Sequence, residues 1–316
     1  MDLRHLRYFV AVAEELHFGH AADRLHIAQP PLSQQIQALE QELGVRLLER
    51  TRRSVALTEA GRLFLDEARA TLVQATRAAE TARRAARGEL GRLKIGFTPS
   101  CLFNGLMPTL LRRYRRAWPG IVLEMTETST AEQVEQLGDG RIDIGFVRPA
   151  APIPPGMVVI RILLREPLVA VLDGDHPLAG VDPIRMVALR DQPFVLHARR
   201  LGTGLYDTVM RLCANAGFTP RIAQEMHQMS TIVTLAAVGL GVAVAPRCMA
   251  ALQVEGVCYR EILDDGAYLD LAVAWRDGTE AIPTRHFIEL LPPAVYTASM
   301  AAMPGARVSG AGPAIP

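Results

Sequence analysis

From Thr58 to Arg87 the chain contains no proline, and no glycine after Gly61. Leu65, Ala68, Leu72, Ala75, Ala79, Ala82 and Ala86 recur there at spacings of three and four. That period places them on one face of an α-helix, and Thr58 is suited to cap its start. A helix of this size is about 45 Å long, more than a small domain can bury. The chain must therefore divide into a part before it and a part after it. The apolar face is narrow, rich in alanine and opposed by a charged face, so the helix reads as a dimerisation element. Residues 88 to 91 then break it with two glycines.

The part before the helix is short and helical. Asp2 can cap a first helix with a stripe of Leu6, Phe9, Val10 and Ala13. A short second helix points Ala21, Ala22 and Leu25 inward, and His26-Ile27-Ala28 forms a turn. In the third helix Leu32, Ile36, Leu39 and Leu43 share a face, and Gly44 stands at the usual stop position. Pro31 is expected at the first helical position, with Gln29 and Pro30 extended ahead of it. Val45 to Leu57 alternates arginine with apolar residues and reads as a two-stranded wing. The whole is a winged helix-turn-helix.

The part after the helix alternates strands and helices. Strands at 93–97, 121–126 and 142–147, with helices at 102–118 and 130–137 between them, predict a parallel sheet with crossover helices. A second unit of the same kind spans about 167 to 262. A strand at 268–275 and a helix at 288–291 follow. The fold class is α/β multidomain: a winged helix-turn-helix, a long linker helix, and two α/β lobes of periplasmic-binding-protein type. The expected boundaries are 1–58, 59–88 and 89–298, with lobe I at about 92–163 and 268–298 and lobe II at about 164–267. Residues 299–316 are Gly, Ala and Pro-rich and read as a disordered tail.

Bulk charge gives no nucleic-acid signal, since the net charge is +1. Local charge does, because Arg46, Arg50, Arg52 and Arg53 fall together. No signal-peptide layout and no membrane-spanning run is present, so a cytoplasmic location is expected. The four cysteines lack metal-ligand or disulfide-framework spacing. His17, His20 and His26 lack companion ligands, so neither a metal nor a cofactor is expected.

Taken together these residues resemble the LysR-type transcriptional regulators. The resemblance rests on Leu6-Arg7-Tyr8-Phe9, Ala28-Gln29-Pro30-Pro31-Leu32-Ser33, Leu39-Glu40, Leu47-Leu48-Glu49-Arg50 and Leu57-Thr58-Glu59-Ala60-Gly61. Looser matches continue to about residue 292, including His176-Pro177-Leu178 and Val238-Gly239-Leu240-Gly241. It implies a dimer or tetramer, double-stranded DNA with two half-sites, a small-molecule inducer between the lobes, and RNA polymerase as a further partner. Tyr8 to Glu15 and Gln29-Pro30-Pro31 look like the subgroup of activators controlling aromatic-compound catabolism, whose members sense muconates or benzoates.

The candidate DNA contacts follow from chemistry and position. Gln29, Pro30, Pro31, Ser33, Gln34 and Gln37 lie on the outward face of the third helix, and glutamine can bind adenine through two hydrogen bonds. Many relatives carry arginine where this chain has Gln34, so phosphate attraction falls to Arg52 and Arg53 on the wing. Arg50 is expected to pair with Glu49.

For the inducer, Thr98-Pro99-Ser100 and Thr128-Ser129-Thr130 follow strands and open helices, where hydroxyls and free N–H groups attract carboxylates. Ser129-x-x-Glu132 is a capping box. The resemblance maps Ser100 and Thr130 onto inducer-binding positions. Arg148 could grip a carboxylate with two hydrogen bonds, and Thr203 and Ser230 are candidates from lobe II. The expected inducer is a small carboxylate, and the chain is not expected to be an enzyme. A redox-sensing regulator using Cys248 and Cys258 is the alternative reading. A two-lobed solute-binding protein or a hydrolase is the alternative of another class.

Overall fold

The computed structural model describes residues 1–51, 54–149, 158–199, 204–278 and 281–294. The chain packs as two units, Met1–Arg87 and Gly88 onward.

The first unit opens with α1 (Leu3–Glu15), capped by Asp2, whose carboxylate accepts from the Arg4 and His5 N–H groups at 2.9 Å. His17 caps α2 (Phe18–Arg24) by accepting from the His20 N–H. α3 runs Gln29–Leu43 with Ala28 as its N-cap. The helix thus starts two residues earlier than expected, and Gln29, Pro30 and Pro31 form its first turn. The reason is that the N–H groups of a whole first turn lack intrahelical partners, so a proline at the second or third position also forfeits nothing. Leu43 is exposed rather than inward, because the core ends at Leu39. Gly44, at φ +68°, closes the helix.

β1 (Leu48–Arg50) and β2 (Val55–Leu57) pair antiparallel, Leu48 opposite Leu57. α4 (Glu59–Ala86) follows, with Thr58 capping Gly61. Gly61 sits against the wing so closely that an added Cβ would lie 2.0 Å from the Leu47 carbonyl oxygen. Leu65 and Ala68 of α4 join Phe9, Val12, Leu32, Ile36, Leu39 and Leu47 in one core. Ala79, Ala82 and Ala86 of the predicted seam are exposed in this single chain.

In the second unit β3 (Gly91–Phe97) lies between β4 (Ile121–Glu127) and β5 (Ile144–Val147), all parallel. α5 (Leu106–Ala117) and α6 (Thr130–Gly138) are the crossovers. α5 starts later than predicted. Gly105, at φ +76°, breaks the chain before it, and residues Pro99–Leu102 form a separate 3-10 turn. β3, β4 and β5 are parallel as expected, but the sheet as a whole is mixed. β6 (Val158–Asp173) and β11 (Tyr268–Arg276) pair antiparallel with each other, and β11 pairs antiparallel with β5. α9 (Ile282–Glu289) closes this lobe, beginning earlier than predicted because Pro283 fits its first turn.

β6 runs unbroken through the expected lobe boundary. Its first half belongs to lobe I. Its second half pairs with β9 (Ala243–Pro246) on one side and β10 (Val257–Glu261) on the other. β7 (Pro193–His197) and β8 (Arg221–Met226) are parallel, with α7 (Gly204–Asn215) between them. α8 (Met229–Ala237) leads to β9. Each lobe has its own apolar core: Leu93, Ile95, Phe146 and Phe287 in lobe I, and Leu172, Phe194, Val233 and Val244 in lobe II. Among the described residues no helix is long and apolar enough to cross a membrane.

Candidate functional site

Two places present polar groups in an organised way. The first is the outward side of α3. Gln29, Pro30, Pro31, Gln34 and Gln37 are exposed and Ser33 is half-buried, while Leu32, Ile36 and Leu39 are fully buried on the opposite side. Neutral amide donors and acceptors are therefore laid along two turns with no charge among them. Arg50 does not pair with Glu49. Its guanidinium meets the Glu40 carboxylate of α3 at 2.8 Å and lies over the Phe18 ring. Arg50 and Glu49 are neighbours along a strand and point to opposite sides of it, which explains the difference. Glu40 also accepts from the Leu47 and Leu48 N–H groups, so one carboxylate fixes the wing to the helix. Arg52 and Arg53 lie outside the described residues, between Thr51 and Ser54, which are hydrogen-bonded to each other.

The second place is a cavity of about 170 Å³ between the two lobes, at the ends of β3, β4 and β5. Ser100 and Thr130 both line it, and both are buried. Thr130 begins α6 behind the Ser129–Glu132 capping box, and its hydroxyl accepts from the Arg148 N–H at 3.1 Å. Glu132, held by Thr128 and then by Ser129, lies below the usual carboxylate range. Leu205 near the start of α7, with Gln228 and Met229 at the start of α8, forms part of the lobe II wall.

Arg148 lies at the centre of a buried cluster. Its Nε donates to the Ser100 hydroxyl at 2.9 Å, and its Nη2 meets the Glu166 carboxylate at 2.6 Å. The other Glu166 oxygen accepts from the Cys248 N–H at 2.7 Å. The guanidinium fork is thus already engaged, and only Nη1 is buried without a partner. A two-bond grip on a ligand by Arg148 is ruled out while this ion pair stands. Ser230 is exposed and outside the cavity lining, because Gln228 and Met229 occupy the wall position and the next helical residue turns away. Thr203 lies outside the described residues.

Glu166, His197 and His227 are the site residues that the sequence pattern missed. Glu166 had a signal: it is the one acid in the interior of the strand Val158–Asp173, which is otherwise apolar apart from Arg161 and Arg165. The two histidines had none, since a lone histidine beside a strand end is unremarkable. Burial, with His227 beside it, pushes His197 down to about 4.

The cysteines do not form a pair. Cys248 is bonded at Glu166 and Cys258 stands opposite Leu172. Those partners are six residues apart along β6, about 20 Å, far beyond the reach of a disulfide. Burial pushes the thiols of Cys101, Cys248 and Cys258 up, which favours the unreactive form. Among the described residues no group of His, Cys, Asp and Glu could hold a metal ion.

Comparison with known proteins identifies the family. Residues 3–62 match the bacterial regulatory helix-turn-helix protein family of lysR type, and residues 86–294 match the LysR substrate binding domain. The chain is a LysR-type transcriptional regulator. The uncharacterised HTH-type transcriptional regulator YnfL of Escherichia coli strain K12 is 43% identical over 90% of this chain and 95% of its own length. The regulator AlsR of Bacillus subtilis is 40% identical over 92% and 95%. Full-length CbnR, crystallised with its target DNA, is 30% identical, with a TM-score of 0.77 over 92% of this regulator and 98% of CbnR. Like its relatives, this LysR-type regulator joins a DNA-binding domain to an effector-binding domain.

Proposed function

We propose that the cavity is the inducer site of this regulator and that the inducer is a small carboxylate, an intermediate of aromatic-compound breakdown. The observation that carries the reading is the convergence of two buried hydroxyls, Ser100 and Thr130, on one cavity wall at the start of α6. Hydroxyls and unpaired backbone N–H groups at a helix start favour an anionic oxygen. The aromatic part rests on the resemblance of Tyr8 to Glu15 and Gln29-Pro30-Pro31 to that subgroup.

Inducer closure of the lobes about β6 shifts a population between two arrangements and alters DNA contact. In that contact Gln29, Ser33, Gln34 and Gln37 read base edges, Pro30 and Pro31 set their angle, and Arg52 and Arg53 attract phosphate. The exposed alanines of α4 join copies of the chain into a dimer or tetramer, and RNA polymerase is the downstream partner. Calorimetry with muconates, benzoates and related acids tests the cavity reading. Saturable binding that weakens in Ser100→Ala supports it; binding only by uncharged or cationic compounds overturns it.

A further inference from the structure

The cavity edge Thr128-Ser129-Thr130 is held by a residue that lies outside the cavity lining. Gln133 of α6 is fully buried, at 0% exposure. Its Nε2 donates to the Thr128 carbonyl at 3.1 Å. The N–H of the same peptide group, that of Ser129, donates to the Glu132 carboxylate at 3.0 Å. Two consecutive residues of α6 therefore grip one peptide plane, one at its oxygen and one at its nitrogen.

The sheet makes room for this side chain. Gly96 of β3 and Gly145 of β5 stand opposite each other in the parallel ladder. A Cβ added at Gly96 would lie 3.0 Å from the Gln133 Cγ, and one added at Gly145 would lie 3.0 Å from its Oε1. An apolar side chain of the same length would fill the space as well. It would also avoid a cost that Gln133 bears, because the Gln133 Oε1 is buried with no partner among the described residues. An unpaired buried acceptor destabilises a fold. Packing alone thus disfavours glutamine here. What glutamine supplies, and an apolar residue cannot, is a donor for the Thr128 carbonyl.

We infer that Gln133 is a positioning residue: it holds the Thr128–Ser129 peptide with its carbonyl drawn towards α6, and so sets the preference of the cavity for anionic over neutral ligands. Thr128 and Ser129 both line the cavity, whereas Gln133 does not. A carbonyl oxygen repels an anion, while hydroxyl and N–H groups donate to one. With the Thr128 oxygen taken by Gln133, the edge offers a ligand its hydroxyls instead. The consequence for ligands rests on the reading of the cavity as a carboxylate site. The grip on the peptide plane stands on the hydrogen bonds alone.

The test compares the full chain with Gln133→Met, which keeps the length and removes the donor. Hydrogen exchange followed by mass spectrometry reads residues 127–131, and urea unfolding followed by Trp118 and Trp275 reads the unit that contains them. Exchange at 127–131 should rise about tenfold or more, while the unfolding midpoint stays the same or increases. Calorimetry with benzoate and cis,cis-muconate against their neutral amides gives the second reading. The preference for the acid over its amide should fall about tenfold in the variant. Unchanged exchange at 127–131, or exchange raised equally through the whole unit, overturns the inference. So does an acid preference that survives the substitution. If the unaltered protein binds no acid, the carboxylate reading and the anion preference fall together, and exchange alone decides whether Gln133 holds the plane. Should Gln133→Met fail to fold, Gly145→Ala crowds the Gln133 Oε1 and shifts the amide without removing it. The same local rise in exchange supports the inference, and its absence overturns it.

Discussion

α3 and the interlobe cavity both carry organised polar groups, yet under opposite constraints. Gln29, Gln34 and Gln37 stand in solvent on a helix whose other side is fully buried apolar core. Nothing beneath them depends on their hydrogen bonds. Arg148, Glu166, Ser100 and Thr130 are buried and satisfied largely by one another. One surface can change its chemistry residue by residue at little folding cost. The other cannot, because each group is also a structural partner.

The sharpest way to break that contrast is at Glu166. Glu166→Ala leaves Arg148 buried and unpaired, and strands the Cys248 N–H. The expected loss is about 3–5 kcal/mol from the second unit, as for other broken buried pairs. Both tryptophans, Trp118 and Trp275, lie in that unit, so their fluorescence during urea unfolding reports it directly. A loss below about 1 kcal/mol would mean that the cluster is hydrated rather than buried, and the contrast would dissolve.

The contrast also explains what could be read from the residues alone. Helix faces, the wing and the two lobes were legible because exposed polar and buried apolar residues alternate with a period. Ser100 and Thr130, which line the cavity, stood out because hydroxyls follow strands there and because the family resemblance points to both positions. Periodicity carried less about pairing direction: three strands in series suggested a parallel sheet, but β6 and β11 run back through it over residues that look the same in either direction. It carried nothing about the Arg148–Glu166 pair, whose partners are 18 residues apart and meet only through the strand crossing. Likewise Pro30 and Pro31 marked the start of α3 correctly but not its first residue. First-turn prolines are tolerated at several positions.

A second break tests whether the first unit is as forgiving inside as it is outside. In Gly61→Ala the new methyl would meet the backbone of Leu47, which cannot swing aside as a side chain would. Overpacking of this kind costs about 1–3 kcal/mol. DNA affinity should fall while tryptophan-reported unfolding and carboxylate binding stay unchanged. Wild-type DNA affinity would mean that α4 can slide away from the wing.

On the outward side of α3 the effects should separate by type. Gln34→Ala is expected to cost about 1–3 kcal/mol of binding at one base pair, with the salt dependence unchanged. Arg53→Ala should weaken binding to every sequence and lower the salt slope by about one. Titrations over a salt series on matched and mismatched sites distinguish them. A Gln34→Ala protein that loses salt dependence instead would mean that this residue faces phosphate.

The smallest effect should come from Glu14, an intermediate case between the two regions. Its carboxylate joins α1 to α4 through Arg69 at 2.6 Å and to α2 through Arg24 at 2.8 Å, with all three side chains partly in water. The hydrogen bonds from Arg69 and then Arg24 hold Glu14 below its ordinary carboxylate value of 4.5. A group lowered in the folded state stabilises it above the ordinary value and stops doing so as pH falls through the lowered one. Glu14→Gln should therefore cost under about 1 kcal/mol at pH 7. That difference should shrink below pH 4.5 and vanish once wild-type Glu14 is protonated. Hydrogen exchange of the α1 and α4 amides at pH 7 and pH 4 measures it. A difference that stayed the same on acidification would not be that of an ion pair, and would mean that Glu14 holds the three helices together by packing.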